Sequence, residues 1–277
     1  MRGQRQPDGL SVTEPGKRRC AVIGSPISHS LSPALHRAAY EWLGLDWTYE
    51  RHEVGADGVR TFVAGLSDEW RGLSVTMPCK KAVLALGVPD PVAAALGVGN
   101  TVVFDGHPCD PATTRIHNTD VSGVRMVLRG VDPSSKFLVY GNGATARSCV
   151  YALSLMGVVR VHVKARADET TRELAHDANG WGIDVVPGGA PADVLVSTVP
   201  AAVAGEWGTA SAGLVFDVLY DPWPTPLAVR AARDGAAVLT GLDLLAAQAV
   251  GQVELMTGRV VDVSVLREAA EQAMSRR

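Results

Sequence analysis

The residues best suited to chemistry sit in short polar clusters at the ends of apolar runs. One such cluster, Gly141-Asn142-Gly143-Ala144-Thr145, follows the apolar run Lys136–Tyr140 and opens the helical pattern Ala144–Met156. In a dinucleotide-binding turn the first glycine permits the bend. The second lets the backbone approach a pyrophosphate, which then rests on free N–H groups at the positive end of a helix. The third glycine of that pattern is replaced by Ala146, with Arg147 after it. A purely steric turn would use the same two glycines; it is the order strand, turn, helix that favours a nucleotide. The following strand, Val158–Val163, ends in Lys164 and Arg166, and no carboxylate appears before Asp168. An NAD site needs an acidic residue there for the ribose hydroxyls, whereas cations pair with a 2′-phosphate. NADP is therefore expected, with NAD left open.

A second set lies upstream. Gly24–Pro33 (GSPISHSLSP) packs serines and a histidine between a strand and a helix. Hydroxyls there either cap the helix or hold a small carboxylate. Ser32 and Pro33 are expected as N-cap and first-turn residues. Ser74–Lys80 (SVTMPCK), Asn100-Thr101 and Asn118-Thr119-Asp120 each end an apolar strand, where α/β sheets place ligands. Taken singly, Lys80 reads as a surface lysine and Asp120 as a helix N-cap. Nothing in their spacing pairs them.

The elements that must position these groups alternate along the chain. Strand patterns cover Arg19–Ile23, Trp47–Val54, Leu73–Thr76, Asn100–Phe104, Asp193–Ser197, Leu214–Val218 and Ala237–Leu239. Helical patterns cover Pro33–Leu43, Asp57–Leu66, Lys80–Leu86, Pro91–Leu96, Asp120–Leu128, Glu169–Ala178, Pro226–Asp234, Gly241–Thr257 and Val263–Met274. His107–Thr114 reads as a turn closing a hairpin. Such alternation implies an α/β fold with largely parallel sheets. The glycine turn sits mid-chain, so one α/β unit precedes it and another surrounds it: two domains with a cleft between them. The chain crosses between them at Asn118–Asp120 and at Gly241, where hinge motion is expected.

With 277 residues, 47% apolar and 20% charged, the chain suits a packed globular protein. A net charge of -3 and 5% aromatic residues give no case for nucleic acid or a membrane surface. Four scattered cysteines, with no C-x-x-C pair, exclude a disulfide framework or zinc site and suit a reducing cytoplasm. No metal is expected. Residues 1–17 are polar and rich in Pro and Gly, and read as a loose tail.

GSPISHSLSP, LSVTMPCKK, GNT, HNTD, GNGATAR, the YDPWPTPL run and GLDLLAAQ occur in the order found in shikimate dehydrogenases. The chain resembles that family, which includes quinate dehydrogenases, from about Cys20 onward. The resemblance implies an α/β substrate-binding catalytic domain made of residues 18–119 and 241–277. A Rossmann-like NADP-binding domain over residues 120–240 would face it across a deep cleft. It implies reversible, NADPH-dependent reduction of 3-dehydroshikimate to shikimate in aromatic amino acid biosynthesis. The partner is thus a polyhydroxy cyclohexene carboxylate, bound by a monomer or homodimer.

Lys80 and Asp120 match the family's catalytic pair, and Ser30 and Ser32 its carboxylate-holding serines. Thr76, Asn100 and Gln248 match groups on the ring hydroxyls, and Tyr220 lines the same pocket. Ser74 stands where many members have Asn. Gly141, Asn142, Gly143, Ala144, Thr145 and Arg147 fall on the phosphate turn, with Gly241 also on the cofactor side. Arg166 matches the arginine of the adenosine-phosphate loop. Ala165 and Ala167 flank it where Asn and Thr are usual, with Lys164 as the compensating cation. Asp243 replaces a small residue, and Leu244 a methionine beside the nicotinamide. These departures leave room for a quinate or aminoquinate dehydrogenase, NAD-linked or not. A non-catalytic NADP-binding sensor on the same scaffold and a structural α/β protein are the readings from other classes.

Overall fold

The computed structural model describes residues 16–277. Of the tail expected over residues 1–17, all but Gly16 and Lys17 lies outside the described residues. β1 (Arg19–Gly24) leads through a polar loop into α1 (Ser32–Trp42), and β2 (Thr48–Glu53) returns parallel to β1. A 3-10 turn (Ala56–Gly58) and α2 (Val59–Ala64) precede β3 (Trp70–Val75), also parallel to β1. A second 3-10 turn (Ala82–Leu86), β4 (Val88–Pro89) and α3 (Pro91–Leu96) come next. β5 (Thr101–Phe104) and β6 (Thr114–His117) then form an antiparallel hairpin. This first sheet has the order β2-β1-β3-β5-β6-β4.

The chain crosses on α4 (Thr119–Val127) to a second sheet. There β7 (Phe137–Tyr140), α5 (Ala144–Leu155), β8 (Arg160–Lys164), α6 (Asp168–Gly180) and β9 (Asp184–Pro187) build one half. β10 (Val194–Ser197), α7 (Ala201–Trp207), β11 (Leu214–Asp217), α8 (Pro226–Arg233) and β12 (Ala237–Thr240) build the other. Every pairing in this sheet is parallel, in the order β12-β11-β10-β7-β8-β9. The order reverses between β7 and β10, and the crevice at such a switch point is where doubly wound sheets bind dinucleotides. The chain then returns on α9 (Gly241–Thr257) and α10 (Val263–Ser275), which pack on α1.

Both faces of each sheet are covered. On β7, Phe137 and Val139 pack beneath α5, while Leu138 and Tyr140 join the core under α7 and α8. That double burial is why FLVY is apolar throughout. On β1, Cys20 and Val22 meet α1, α9 and α10, and Ala21 and Ile23 meet α2 and the second 3-10 turn.

The first sheet is mixed, because the hairpin expected at His107–Thr114 sets β6 antiparallel to β5 and β5 antiparallel to β3. Three expectations need correction. The expected helix Asp57–Leu66 begins as a 3-10 turn, and Lys80–Leu86 narrows to one. Ser32 does not cap α1: Leu31 holds the N-cap position, and the Ser30 hydroxyl accepts from the Ser32 N–H at 3.3 Å. Finally, β4, β9 and α7 are elements the sequence pattern did not mark. The first has two residues, the second lies between Gly182 and Gly188, and the third contains Gly205, so each is too short or too broken for a clear period.

Candidate active site

A cavity of about 600 Å³ lies where the carboxyl ends of the two sheets face each other. Lys80, in the turn after β3, and Asp120, in the first turn of α4, meet there with Nζ to Oδ2 at 2.5 Å. Both are largely buried, at 17% and 10% side-chain exposure. Asn118 is the residue that caps α4, accepting from the Asp120 N–H, so the Asp120 carboxylate is free of that duty. Asn100 Nδ2 donates to Asp120 Oδ1 at 2.8 Å. The two oxygens of Asp120 are thus divided between an amide and an ammonium.

Gln248, on α9, approaches Asn100 and Thr119 with its carbonyl oxygen at 3.4 Å from each. Ser30, Ser32 and Thr76 line the wall formed by the ends of β1 and β3, and Tyr220 enters from the loop after β11. Burial pushes the Tyr220 hydroxyl pKa up, so it stays a donor at neutral pH. Ser74 also lines the cavity, but its hydroxyl is engaged at the back: it accepts from Tyr49 at 2.6 Å and donates to Gln252 Oε1 at 2.7 Å. Gln252, Tyr49 and His36 were not marked by the sequence reading. Gln248 and Gln252 stand four apart on one helix, so their shared face was the available signal for the first of these.

The glycine turn borders the same cavity through Thr145. Gly141 has φ +106°, and a Cβ there would lie 2.3 Å from Thr198 Oγ1, so a side chain is excluded twice over. Gly143 holds the N-cap position of α5 with no side-chain cap, and a Cβ built there meets nothing within 4 Å. Among the described residues, the N–H groups that open α5 at Ala144 and Thr145 meet no protein acceptor. Those N–H groups and the positive helix end fit a pyrophosphate. Gly241 packs so closely that a Cβ would lie 2.2 Å from the Val218 carbonyl oxygen.

Three other residues expected on the cofactor side have different partners. The Asn142 side chain donates to the Ala167 carbonyl at 2.9 Å and to Thr171 Oγ1 at 3.0 Å, tying the turn to the loop that carries Arg166. Arg147, expected on the phosphate turn, pairs with Asp177 on α6 at 2.6 Å. Lys164 points to the α7 face, its ammonium 4.9 Å from the Trp207 ring and 5.7 Å from Tyr140. Strand alternation dictates this: Val161 and Val163 face α5, so Lys164 faces away. Arg166 is exposed and, among the described residues, makes no ion pair or hydrogen bond.

Comparison with known proteins agrees with this geometry. The family described as "Shikimate dehydrogenase substrate binding domain" matches residues 22–102, and "Shikimate 5'-dehydrogenase C-terminal domain" matches residues 241–271. The shikimate dehydrogenase (NADP(+)) of Natronomonas pharaonis is 35% identical over 266 residues, covering 91% of this chain and 98% of its own. The chain belongs to the shikimate dehydrogenase family. The crystal structure of Mycobacterium tuberculosis shikimate dehydrogenase superposes with a TM-score of 0.84 at 38% identity, covering 92% of this chain and 99% of that one. The Thermus thermophilus shikimate 5-dehydrogenase, solved in complex with NADP(H) and shikimate, has a TM-score of 0.80 at 31% identity and the same coverage.

Within this shikimate dehydrogenase family member, the unusual Asp243 is a structural residue. It completes a capping box with Thr240 at the start of α9 and pairs with Arg267 on α10 at 2.9 Å. Burial raises its pKa, but the bonds from Arg267 and Thr240 outweigh that and hold the carboxyl below the usual range. Leu244 reaches the cavity; Asp243 does not line it.

Proposed function

We propose that this chain catalyses the reversible, NADPH-dependent reduction of 3-dehydroshikimate to shikimate. The observation that carries the proposal is the Lys80–Asp120 contact inside a cavity that also opens onto a dinucleotide turn. The name of the Natronomonas relative and the NADP(H) and shikimate bound to the Thermus protein support it. We assign the substrate to residues 18–119 and 241–277, and the nucleotide to residues 120–240. The packing of α9 and α10 against α1 and the first sheet supports that division.

The Ser30, Ser32 and Tyr220 hydroxyls would hold the substrate carboxylate, and Thr76, Asn100 and Gln248 its ring hydroxyls. The first turn of α5 and Arg166 would hold the two phosphate ends of NADPH. When bound, NADPH supplies the hydride to the carbonyl carbon. As that carbon is reduced, negative charge builds on oxygen, and the Lys80 ammonium stabilises it and donates the proton that completes the alcohol. Asp120, anchored by Asn100, aims the ammonium. In the reverse direction Lys80 takes that proton back. Closing the cleft would keep water out during transfer.

Among the described residues no helix is long and apolar enough to cross a membrane. All four cysteines are free thiols, which supports placing the enzyme in the reducing cytoplasm. The test is an activity matrix of shikimate and quinate against NADP and NAD, followed by absorbance of the reduced cofactor. Fastest turnover with shikimate and NADP is expected. Fastest turnover with quinate would move the chain to the neighbouring activity, and no turnover with either would leave a nucleotide-binding sensor.

A further inference from the structure

Behind the cavity lies a chain of buried hydrogen bonds that the reaction itself does not use. His36 on α1 is fully buried, stacked on the Tyr49 ring with centroids 4.1 Å apart. Its Nε2 lies 3.1 Å from Gln252 Oε1, while its Nδ1 has no partner. Gln252 Oε1 also accepts from Ser74 Oγ. On the other side, Gln252 Nε2 donates to the Asn100 carbonyl and to Thr101 Oγ1, each at 3.2 Å. Thr101 Oγ1 in turn donates to Asn100 Oδ1 at 2.8 Å, which also accepts from the Thr119 N–H at 2.8 Å.

Only one assignment of protons satisfies this set. The Asn100 carbonyl is an acceptor, so the NH2 of Gln252 must face it and the Gln252 oxygen must face His36. His36 must then carry its proton on Nε2, leaving Nδ1 bare in the core. A flipped amide would set oxygen against the Asn100 carbonyl, at a cost of one or more buried hydrogen bonds. The direction continues outward: with Thr101 and Thr119 donating to its oxygen, the Asn100 side chain can only present its NH2 to Asp120.

We propose that Gln252 is a positioning residue for the Lys80–Asp120 pair, its amide locked by His36 and Ser74 and its orientation passed through Thr101 to Asn100. The proposal rests on the assigned dehydrogenase activity for its kinetic readout, and on nothing but the folded protein for its spectroscopic one. Burial, which pushes the His36 pKa down to about 4, keeps the donor tautomer neutral through the working pH range.

Gln252→Glu tests it, because the carboxylate is nearly isosteric but cannot donate. The Thr101 hydroxyl would turn toward it, leaving Asn100 Oδ1 held by Thr119 alone, through its N–H at 2.8 Å and its hydroxyl at 3.2 Å. The expected result is a fall in kcat of roughly ten- to a hundredfold, the scale of a misplaced reacting group, with the KM for NADP within about twofold of wild type. Wild-type kcat in a folded Gln252→Glu enzyme overturns the proposal. Should that variant not fold, nitrogen-15 NMR of the imidazoles in the ligand-free wild-type enzyme decides: a non-titrating, Nε2-protonated His36 between about pH 5 and 8 supports it. An Nδ1–H tautomer, or titration in that range, overturns it. This spectrum is independent of turnover, so failure of the assigned activity and failure of the positioning chain are told apart.

Discussion

Asn100 and Lys80 grip opposite oxygens of one carboxylate: Asn100 Nδ2 lies 2.8 Å from Asp120 Oδ1, and Lys80 Nζ lies 2.5 Å from Asp120 Oδ2. The three residues come from the start of β5, the turn after β3 and the start of α4. Asp120 therefore cannot rotate to release one partner without releasing both, and the ammonium is aimed by the backbone of two strands and a helix.

That arrangement predicts separable effects. Lys80→Ala should lower kcat by roughly 10²–10⁴-fold, the range for losing acid–base help, with a smaller change in the KM for shikimate. Asp120→Asn keeps an acceptor for Asn100 but leaves the ammonium without its counter-charge, so kcat should fall there too. Steady-state kinetics in both directions check this. A Lys80→Ala enzyme with near-normal kcat would remove Lys80 from its role.

The two glycines of the turn should fail differently. Gly141→Ala combines a φ of +106° with a 2.3 Å approach to Thr198 Oγ1, so it should destabilise the whole nucleotide half. Gly143→Ala meets no protein atom within 4 Å, so the protein should stay folded with a slightly poorer N-cap. Its new methyl points into the space where a pyrophosphate would lie. Calorimetric titration with NADP should show binding weakened by more than about tenfold, with an unfolding midpoint lowered by only a few degrees. Undiminished NADP binding by Gly143→Ala would contradict the phosphate site.

Cofactor choice should rest on Arg166 rather than Lys164. Arg166→Ala should raise the KM for NADPH by roughly ten- to a hundredfold, the worth of a charge-assisted hydrogen bond, and leave that for NADH nearly unchanged. Lys164→Ala removes an ammonium from between Trp207 and Tyr140, and should leave the NADPH/NADH ratio where it was. Equal effects of the two substitutions on the ratio would show that Lys164 swings back to the cofactor.

These contrasts also mark how far the sequence was legible. Long elements such as α1 and α10 were plain because each buries one stripe, α5 and α9 because they are apolar around most of their circumference, and the all-parallel order of the second sheet followed from strand–helix alternation. The site clusters were visible because they interrupt apolar runs at strand ends. What the sequence did not reveal is side-chain direction. Lys164 and Arg147 have the right types near the right loop, but the pleat turns one to α7 and the helix face turns the other to Asp177. The Gln252–His36 contact joins residues 216 positions apart, and neither side chain departs from what a core helix of mixed polarity would carry.

His36 gives the last prediction. In the unfolded chain its imidazole takes up a proton as the pH falls past 6.5; in the folded protein burial holds it neutral down to about 4. Between those limits the unfolded state binds more protons, so stability falls as pH falls through this window and is unaffected above it. At about 1.36 kcal/mol per pKa unit, the loss approaches roughly 3 kcal/mol by pH 4. His36→Phe keeps a ring stacked on Tyr49 but cannot titrate. It should be less stable at pH 7, having lost the bond to Gln252, and should lose less stability than wild type on going to pH 4.5. Urea unfolding of both proteins at the two pH values measures the difference. Equal losses would place the acid sensitivity in some other group and show that His36 is already charged, or already solvated, in the native state.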